Sequence, residues 1–100
     1  MIIEHVLLPI ATADRIAFFE AFRRARAFIE VAPGFLGLSL HVPAEGDGGL
    51  LLMVQWASIA DHRDGFRKSD DYQHWRALLH PFYPVLPEVH YYSVAHAESV

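Results

Sequence analysis

The chain has 100 residues and fits a single domain, which we expect to span residues 1–100 with its core at about residues 2–95. A formal charge of −4 without a basic patch argues against nucleic acid, and the absence of cysteine excludes disulfides and thiol chemistry. The N-terminus lacks the charge pattern of a signal peptide, and no apolar run approaches the ~20 residues that span a bilayer, so we expect a cytoplasmic protein without a membrane partner.

The apolar content is high for a domain of this size, with 53% hydrophobic and 13% aromatic residues. A domain of about this length buries only ~60–68% of the surface that its unfolded chain exposes. We therefore expect some of the apolar surface to lie in a homodimer interface or in a ligand cavity.

The first half of the chain predicts a strand, a helix and two further strands. The β-branched segment 2–8 is typical of a strand. A helix should begin near residues 12–14, where Thr and Asp can cap it, and end at the Pro-Gly pair 33–34. Segments 35–42 and 50–57 predict the next two strands, joined by a glycine-rich turn.

The two predicted central strands differ in pattern. In segment 35–42, strict alternation places the three leucines on one face and leaves the other face to Phe35, Gly37, Ser39 and His41. Segment 50–57 is apolar at nearly every position, as in a strand that is covered on both sides.

The second half of the chain predicts two helices and a last strand. Ser58 should cap a short helix, and Ser69 should cap a longer one whose first turn carries two aspartates. Pro81 ends that helix, and segment 89–95 predicts a strand. The order β-α-β-β-α-β predicts an α+β fold of the ferredoxin-like type, a four-stranded antiparallel sheet with helices on one face. A second copy of the chain is the simplest cover for the other face, so we expect a homodimer.

One face of the Ser69 helix is broad and aromatic. Helical spacing predicts that Tyr72, Trp75, Arg76 and Leu79 share it. For Tyr72 and Trp75 core packing is the simpler interpretation, and a pocket wall is the alternative.

Five short segments carry a resemblance to a known family. They are PGFLG at 33–37, QWAS at 55–58, FRKS at 66–69, YQHWR at 72–76 and HPFY at 80–83. In order and spacing they are similar to the antibiotic biosynthesis monooxygenase domain, over about residues 3–95. The resemblance implies a dimeric α+β barrel with a pocket between sheet and helices. There, active members add molecular oxygen to an electron-rich aromatic without metal or flavin, so we expect no cofactor.

The resemblance also implies candidate site residues for a small hydroxylated aromatic substrate of the quinol or anthrone type. His5 occupies a first-strand position that is polar in related members, and we expect it to be the catalytic base, with Tyr72 and Trp56 orienting the substrate. The expected substrate-binding residues are His41, Phe66, Trp75 and Arg76.

Alternatives to this function follow from the same residues. A heme-degrading branch of the superfamily places a histidine ligand where this chain has Arg76, which cannot bind iron. A non-catalytic barrel that binds a small hydrophobic ligand is the other alternative. Seven histidines invite a metal interpretation, but no HxxxH pair occurs, and we expect no metal. We expect His62 and His74 to be exposed.

Overall fold

A computed structural model describes residues 1–97, and it confirms the ferredoxin-like fold class. The sheet has the order β2-β3-β1-β4, and every neighbouring pair of strands is antiparallel. The strands and α-helices are β1 (Ile2–Leu8), α1 (Arg15–Ile29), β2 (Phe35–His41), β3 (Leu50–Trp56), α2 (Asp70–Leu79) and β4 (Val89–Ser93).

One hydrophobic core lies between the sheet and the two helices. From β3 the residues Leu50, Leu52, Val54 and Trp56 are fully covered, as are Val6 and Leu8 of β1. Helix α1 contributes its buried stripe, and α2 contributes Trp75 and Leu79. Apolar residues at alternate strand positions therefore meet apolar residues at helical spacing, which is the arrangement that removes both stripes from water.

The ends of α2 form as the sequence predicts. The Ser69 hydroxyl accepts a hydrogen bond of 3.2 Å from the Tyr72 amide, and it donates to the Phe66 carbonyl at 2.6 Å. Asp70 and Asp71 occupy the first turn, where negative charge is favoured. A 3₁₀ turn, His80–Phe82, closes the helix at Pro81.

The alternation predicted for β2 is wrong at its start, because the strand contains a bulge. Phe35 lies opposite Trp56, yet Gly37 lies opposite the neighbouring Gln55, so Leu36 is the extra residue. Phe35 consequently packs against the core together with Leu38, while Leu36 is exposed. A bulge changes which residues share a face, and strict alternation cannot anticipate it.

The second face of the sheet carries no helix. It presents Ile3, His5 and Leu7 from β1, together with Leu51, Met53, Gln55, Ser39, His41, His90 and Tyr92 from the other strands. Leu7 and Tyr92 are more than half exposed, and this face is therefore a mixed surface of apolar side chains and histidines.

We expect the turn that precedes β2 to require glycine for two separate reasons. Gly34 has φ of +83°, and a Cβ there would overlap the Asp61 side chain. Asp61 cannot swing away freely, because its carboxylate accepts a 2.9 Å hydrogen bond from the Ser58 hydroxyl. Gly46 has a similar φ of +76°, with nothing near its missing Cβ.

Gly46→Ala should therefore cost only about 1–2 kcal/mol for the left-handed backbone. Gly34→Ala should cost about 1–3 kcal/mol more, because the added methyl group overpacks the turn. Urea unfolding of both variants measures the difference. Equal losses would show that the Asp61 side chain yields without cost.

Candidate functional site

A cavity of about 150 Å³ lies between the sheet and the helical layer. The residues of β1 that face the helices form its floor, and α2 and the segment after it form its walls. It is lined by Glu4, Val6, Leu8, Leu52, His62, Arg67, Tyr72, Trp75, His80, Tyr83, Leu86, Pro87 and Val89.

A buried carboxylate stands at the polar end of this cavity. Glu4 is 5% exposed, and its Oε1 accepts a hydrogen bond of 2.9 Å from Nε1 of Trp56. Nε2 of His62, a residue 4% exposed, lies 3.3 Å from the same oxygen. Nδ1 of His62 is in turn 2.6 Å from the hydroxyl oxygen of Tyr91. Two hydrogen bonds and one close polar contact thus join four side chains from three strands and one helical turn into a single network.

Burial changes the acidity of the carboxyl group. It raises the pKa of Glu4 from an ordinary value of 4.5 to about 7, because a charge is poorly solvated there. The hydrogen bond from Trp56 and the positive charge of Arg67 oppose this effect and are smaller. At neutral pH the group therefore exists in both protonation states, which is the condition for accepting and returning a proton.

His62 is shifted in the opposite sense. Burial, and secondly the charge of Arg67, lowers the pKa of His62 to about 4, so the imidazole is neutral at neutral pH. A neutral imidazole has one donor and one acceptor nitrogen. One ring nitrogen, Nδ1, shares a hydrogen bond with the Tyr91 hydroxyl, and the other, Nε2, is in contact with the Glu4 carboxyl group.

Aromatic rings form the walls of the cavity. Tyr72, Trp75 and Tyr83 line it, and burial raises the pKa of the Tyr83 hydroxyl, which therefore stays protonated and can donate a hydrogen bond. His80 also lines the cavity, and its Nδ1 is buried without a hydrogen-bond partner. Burial, followed by the charges of Arg76 and Arg67, lowers the pKa of His80.

Two of the residues predicted for the site line the cavity, and two lie behind it. Tyr72 and Trp75 are wall residues, as one of the two interpretations of their helix face expected. Trp56 is fully buried and reaches the cavity only through its hydrogen bond to Glu4. Phe66 packs edge-on against Tyr72 and Trp75, with ring centroids 5.5 and 5.9 Å apart, and supports the wall from behind.

The structure does not bring His5 or His41 to the cavity. In β1 the even positions face the helices, so His5 lies on the other face of the sheet, where its ring contacts Tyr92 at 5.5 Å. His41 is exposed on that same face and bonds Ser39 at 2.8 Å. The expected placement of these residues in the pocket is wrong, because their strands present them to the helix-free side.

Arg76 is also misplaced by the sequence prediction. It follows Trp75 directly, and one helical step of about 100° turns it to the exposed side of α2. A residue there does not contact a molecule in the cavity. His74 is exposed as expected, and its ring stacks on Phe28 at 4.8 Å.

Sequence reasoning missed the two residues at the centre of the network. Glu4 could have been found from the sequence, because it is a carboxylate inside an apolar strand and lies on the same face of that strand as Val6 and Leu8. His62 was expected to be exposed and is buried. It lies in a π-helical turn, Asp61–Gly65, and it is buried together with Phe66, four residues further along the chain.

Residues 1–97 contain no group of three or more His, Cys, Asp or Glu side chains arranged to hold a metal ion. In the same range, no helix has the length and apolar character needed to cross a membrane.

The opposite pKa shifts predict a specific dependence of stability on pH. Because the pKa of Glu4 is raised by folding, the stability from this group is present below pH 4.5 and is lost as the pH rises through about 7. Because the pKa of His62 is lowered, its contribution is present above pH 6.5 and is lost as the pH falls through about 4. The two effects oppose each other over most of the acidic range.

Glu4→Gln removes the pH dependence of stability that comes from Glu4 and leaves the one that comes from His62. Relative to this variant, the wild type should lose on the order of 2 kcal/mol of unfolding free energy between pH 5 and pH 8. Urea unfolding at several pH values measures this, with Glu45→Gln, an exposed carboxylate in a loop, as the matched control. Parallel profiles for wild type and Glu4→Gln would contradict the raised pKa.

Comparison with known proteins agrees with this architecture. The sequence model of the family described as antibiotic biosynthesis monooxygenase matches residues 1–78. The uncharacterised protein YczJ of Bacillus subtilis is 38% identical over 93 residues, which cover 93% of this chain and 98% of YczJ.

Solved structures show the same fold. A Bordetella bronchiseptica protein assigned to the antibiotic biosynthesis monooxygenases superimposes with a TM-score of 0.88 and 27% identity, covering 95% of this chain and 97% of that one. SnoaB of Streptomyces nogalater, a cofactor-independent oxygenase, has a TM-score of 0.72 at 17% identity, covering 96% and 92%. Since the family match extends over most of its length, the chain belongs to the antibiotic biosynthesis monooxygenase family.

Proposed function

We propose that the protein is a cofactor-independent monooxygenase that adds oxygen to a small hydroxylated aromatic, a quinol or an anthrone-like molecule. The observation that carries this proposal is the buried Glu4 carboxyl group, whose pKa of about 7 suits proton transfer, at one end of a cavity with aromatic walls. Glu4 takes the role of proton acceptor that the sequence had led us to expect of His5.

The chemistry needs a proton acceptor, a dry site and molecular oxygen as the only co-substrate. Glu4 removes a phenolic proton, and the resulting anion is a much better electron donor to oxygen than the phenol. One electron passes to oxygen, and the two radicals combine to form a carbon–oxygen bond to a peroxide.

Glu4 then returns its proton to the peroxide. The oxygen–oxygen bond breaks, the ring carbon loses its hydrogen as a proton, and water leaves. The ring gains one oxygen atom and loses four electrons to the oxygen molecule, so no external reductant is required.

The surrounding side chains have distinct parts in this scheme. Trp56 and His62 act as positioning residues, because the hydrogen bond from Trp56 and the contact with His62 hold the Glu4 carboxylate in one orientation. Arg67 lines the cavity, and its positive charge favours the anion formed by deprotonation. Tyr72, Trp75 and Tyr83 offer flat faces against which an aromatic ring packs.

We also propose that the protein acts as a homodimer packed through the helix-free face of the sheet. This face carries Leu7, Leu51, Met53 and Tyr92, side chains that gain from being covered. A specific contact here would bury more than ~1,000 Å². In such a dimer His5 and His41 would be interface residues.

Glu4→Gln should reduce the oxygen-dependent rate on a reactive quinol by about 10²–10⁴-fold, because the amide cannot accept the proton. Oxygen consumption with added quinol, corrected for spontaneous oxidation, measures the rate. Glu45→Gln should leave it unchanged, and a melting curve confirms that Glu4→Gln is folded.

His5→Ala in the same assay compares the two candidate bases directly. A loss of oxygen-dependent rate in His5→Ala but not in Glu4→Gln would show that His5 is the base. A panel of quinols and anthrones without any turnover would favour the alternative of a non-catalytic barrel that binds a hydrophobic ligand.

Leu7→Asp should convert the dimer to a monomer, because it places a charge within the proposed interface. Ile16→Asp is the matched control, since Ile16 is an exposed apolar residue on α1 at the opposite side of the molecule. Sedimentation at micromolar concentration gives the mass of each variant. A monomeric wild type, or a dimeric Leu7→Asp, would contradict the proposed interface.

A further inference from the structure

We infer that the substrate is a single-ring hydroquinone with an apolar substituent, bound with its ring inside the cavity and its substituent against Leu86. This inference rests on the proposed oxygenase function and narrows its substrate class. Its three supports are the volume of the cavity, the placement of its polar groups and the apolar character of its rim.

The volume sets the size of the reacting group. The cavity measures about 150 Å³. A buried apolar cavity of ~150 Å³ in a protein holds one benzene molecule, whereas pockets for drug-sized ligands measure ~300–1,000 Å³. Three fused rings therefore do not fit between the sheet and α2 without displacing core side chains such as Leu52, which is buried.

The distribution of polar atoms sets the orientation of the ring. Glu4 and His62 stand together at one end, and the floor beside them consists of Val6, Leu8 and Leu52. A ring hydroxyl pointing at Glu4 satisfies the carboxylate, and the ring carbons then lie over apolar side chains. A charged substituent beside that floor would lose solvation, because the positive charge of Arg67 in the lining already acts on Glu4.

The rim of the cavity is apolar and lies in water. Leu86 lines the cavity and is 71% exposed, and the adjacent Val85 is 67% exposed. Pro84 and Pro87 flank this pair and restrict its backbone, so Leu86 is held at the mouth. An alkyl group on the ring would cover Leu86 while the hydroxyl stays at Glu4.

The reaction balances for such a substrate. A hydroquinone and one oxygen molecule give a hydroxyquinone and one water molecule. The carbon–hydrogen bond at the attacked ring carbon breaks, a carbon–oxygen bond forms there, and the oxygen–oxygen bond breaks. The alkyl substituent is unchanged, so it acts only in binding.

Oxygen consumption with hydroquinones of one, two and three fused rings tests the size limit. The value of kcat/KM should fall by at least about tenfold from one ring to two, and again from two to three. Within the one-ring series, KM should fall roughly two- to fourfold for each methylene of the alkyl group that covers the rim.

Leu86→Ser should abolish this dependence on alkyl length, so that KM no longer falls along the one-ring series. Leu36→Ser is the matched control, because Leu36 is an exposed leucine on β2 that does not line the cavity. A Leu86→Ser variant that keeps the full alkyl dependence would overturn the placement of the substituent.

Binding of molecules that do not react with oxygen separates this inference from the proposed function. Calorimetry with 4-propylphenol, 2-naphthol and a three-ring phenol reports size selection without turnover. Preference for the one-ring phenol with no turnover of any hydroquinone would refute the oxygenase proposal and keep the ligand class. Turnover with a preference for two or three rings would refute the ligand class and keep the oxygenase proposal. An absence of binding by 4-propylphenol would also overturn the inference.

Discussion

The burial of one carboxyl group is the constraint on which the rest of this site depends. Glu4 is enclosed by the sheet and the helical layer, and its solvation is replaced by a hydrogen bond from Trp56 and a contact with His62. An unpaired buried carboxylate is costly, and both partners therefore lower the free energy needed to bury this group. The raised pKa of Glu4 is the measure of the solvation that these partners do not restore.

The positions of these partners follow from local backbone features. Trp56 is the last residue of β3, and its side chain faces the helices. It lies opposite Ile2 and two residues after Val54, which pairs with Glu4. The π-helical turn then brings His62 back over the sheet within a few residues. A regular α-helical turn would space the side chains differently. The irregularity thus has a structural consequence, because it completes a network that joins β1, β3 and β4.

Most of the fold was predictable because its signals are local. Ser69 caps α2 through a bond to an amide three residues away, whereas α1 ends at Ile29, four residues before the Pro-Gly pair that was expected to close it. The site was less predictable, because β1 is apolar on both parities. Ile3 and Leu7 match Val6 and Leu8 in character, so composition alone does not reveal which set faces the helices. His5 was chosen for its chemistry, and Glu4, whose side chain is on the face of β1 toward the helices, was overlooked. The bulge in β2 likewise depends on pairing with β3, which lies beyond any local pattern.

The connection from α2 to the last strand has a mechanical consequence. Its prolines hold Tyr83, Leu86 and Pro87 against the cavity, and within a few residues the same segment becomes β4, which pairs with β1 alone. Val89 belongs to both structures, because it lines the cavity and lies opposite Val6 in the sheet. A stiff segment transmits displacement along its length, so widening the mouth pulls on the first hydrogen bonds of the edge strand. A molecule that widened the mouth would therefore strain the pairing of Val89 with Val6 at the start of β4.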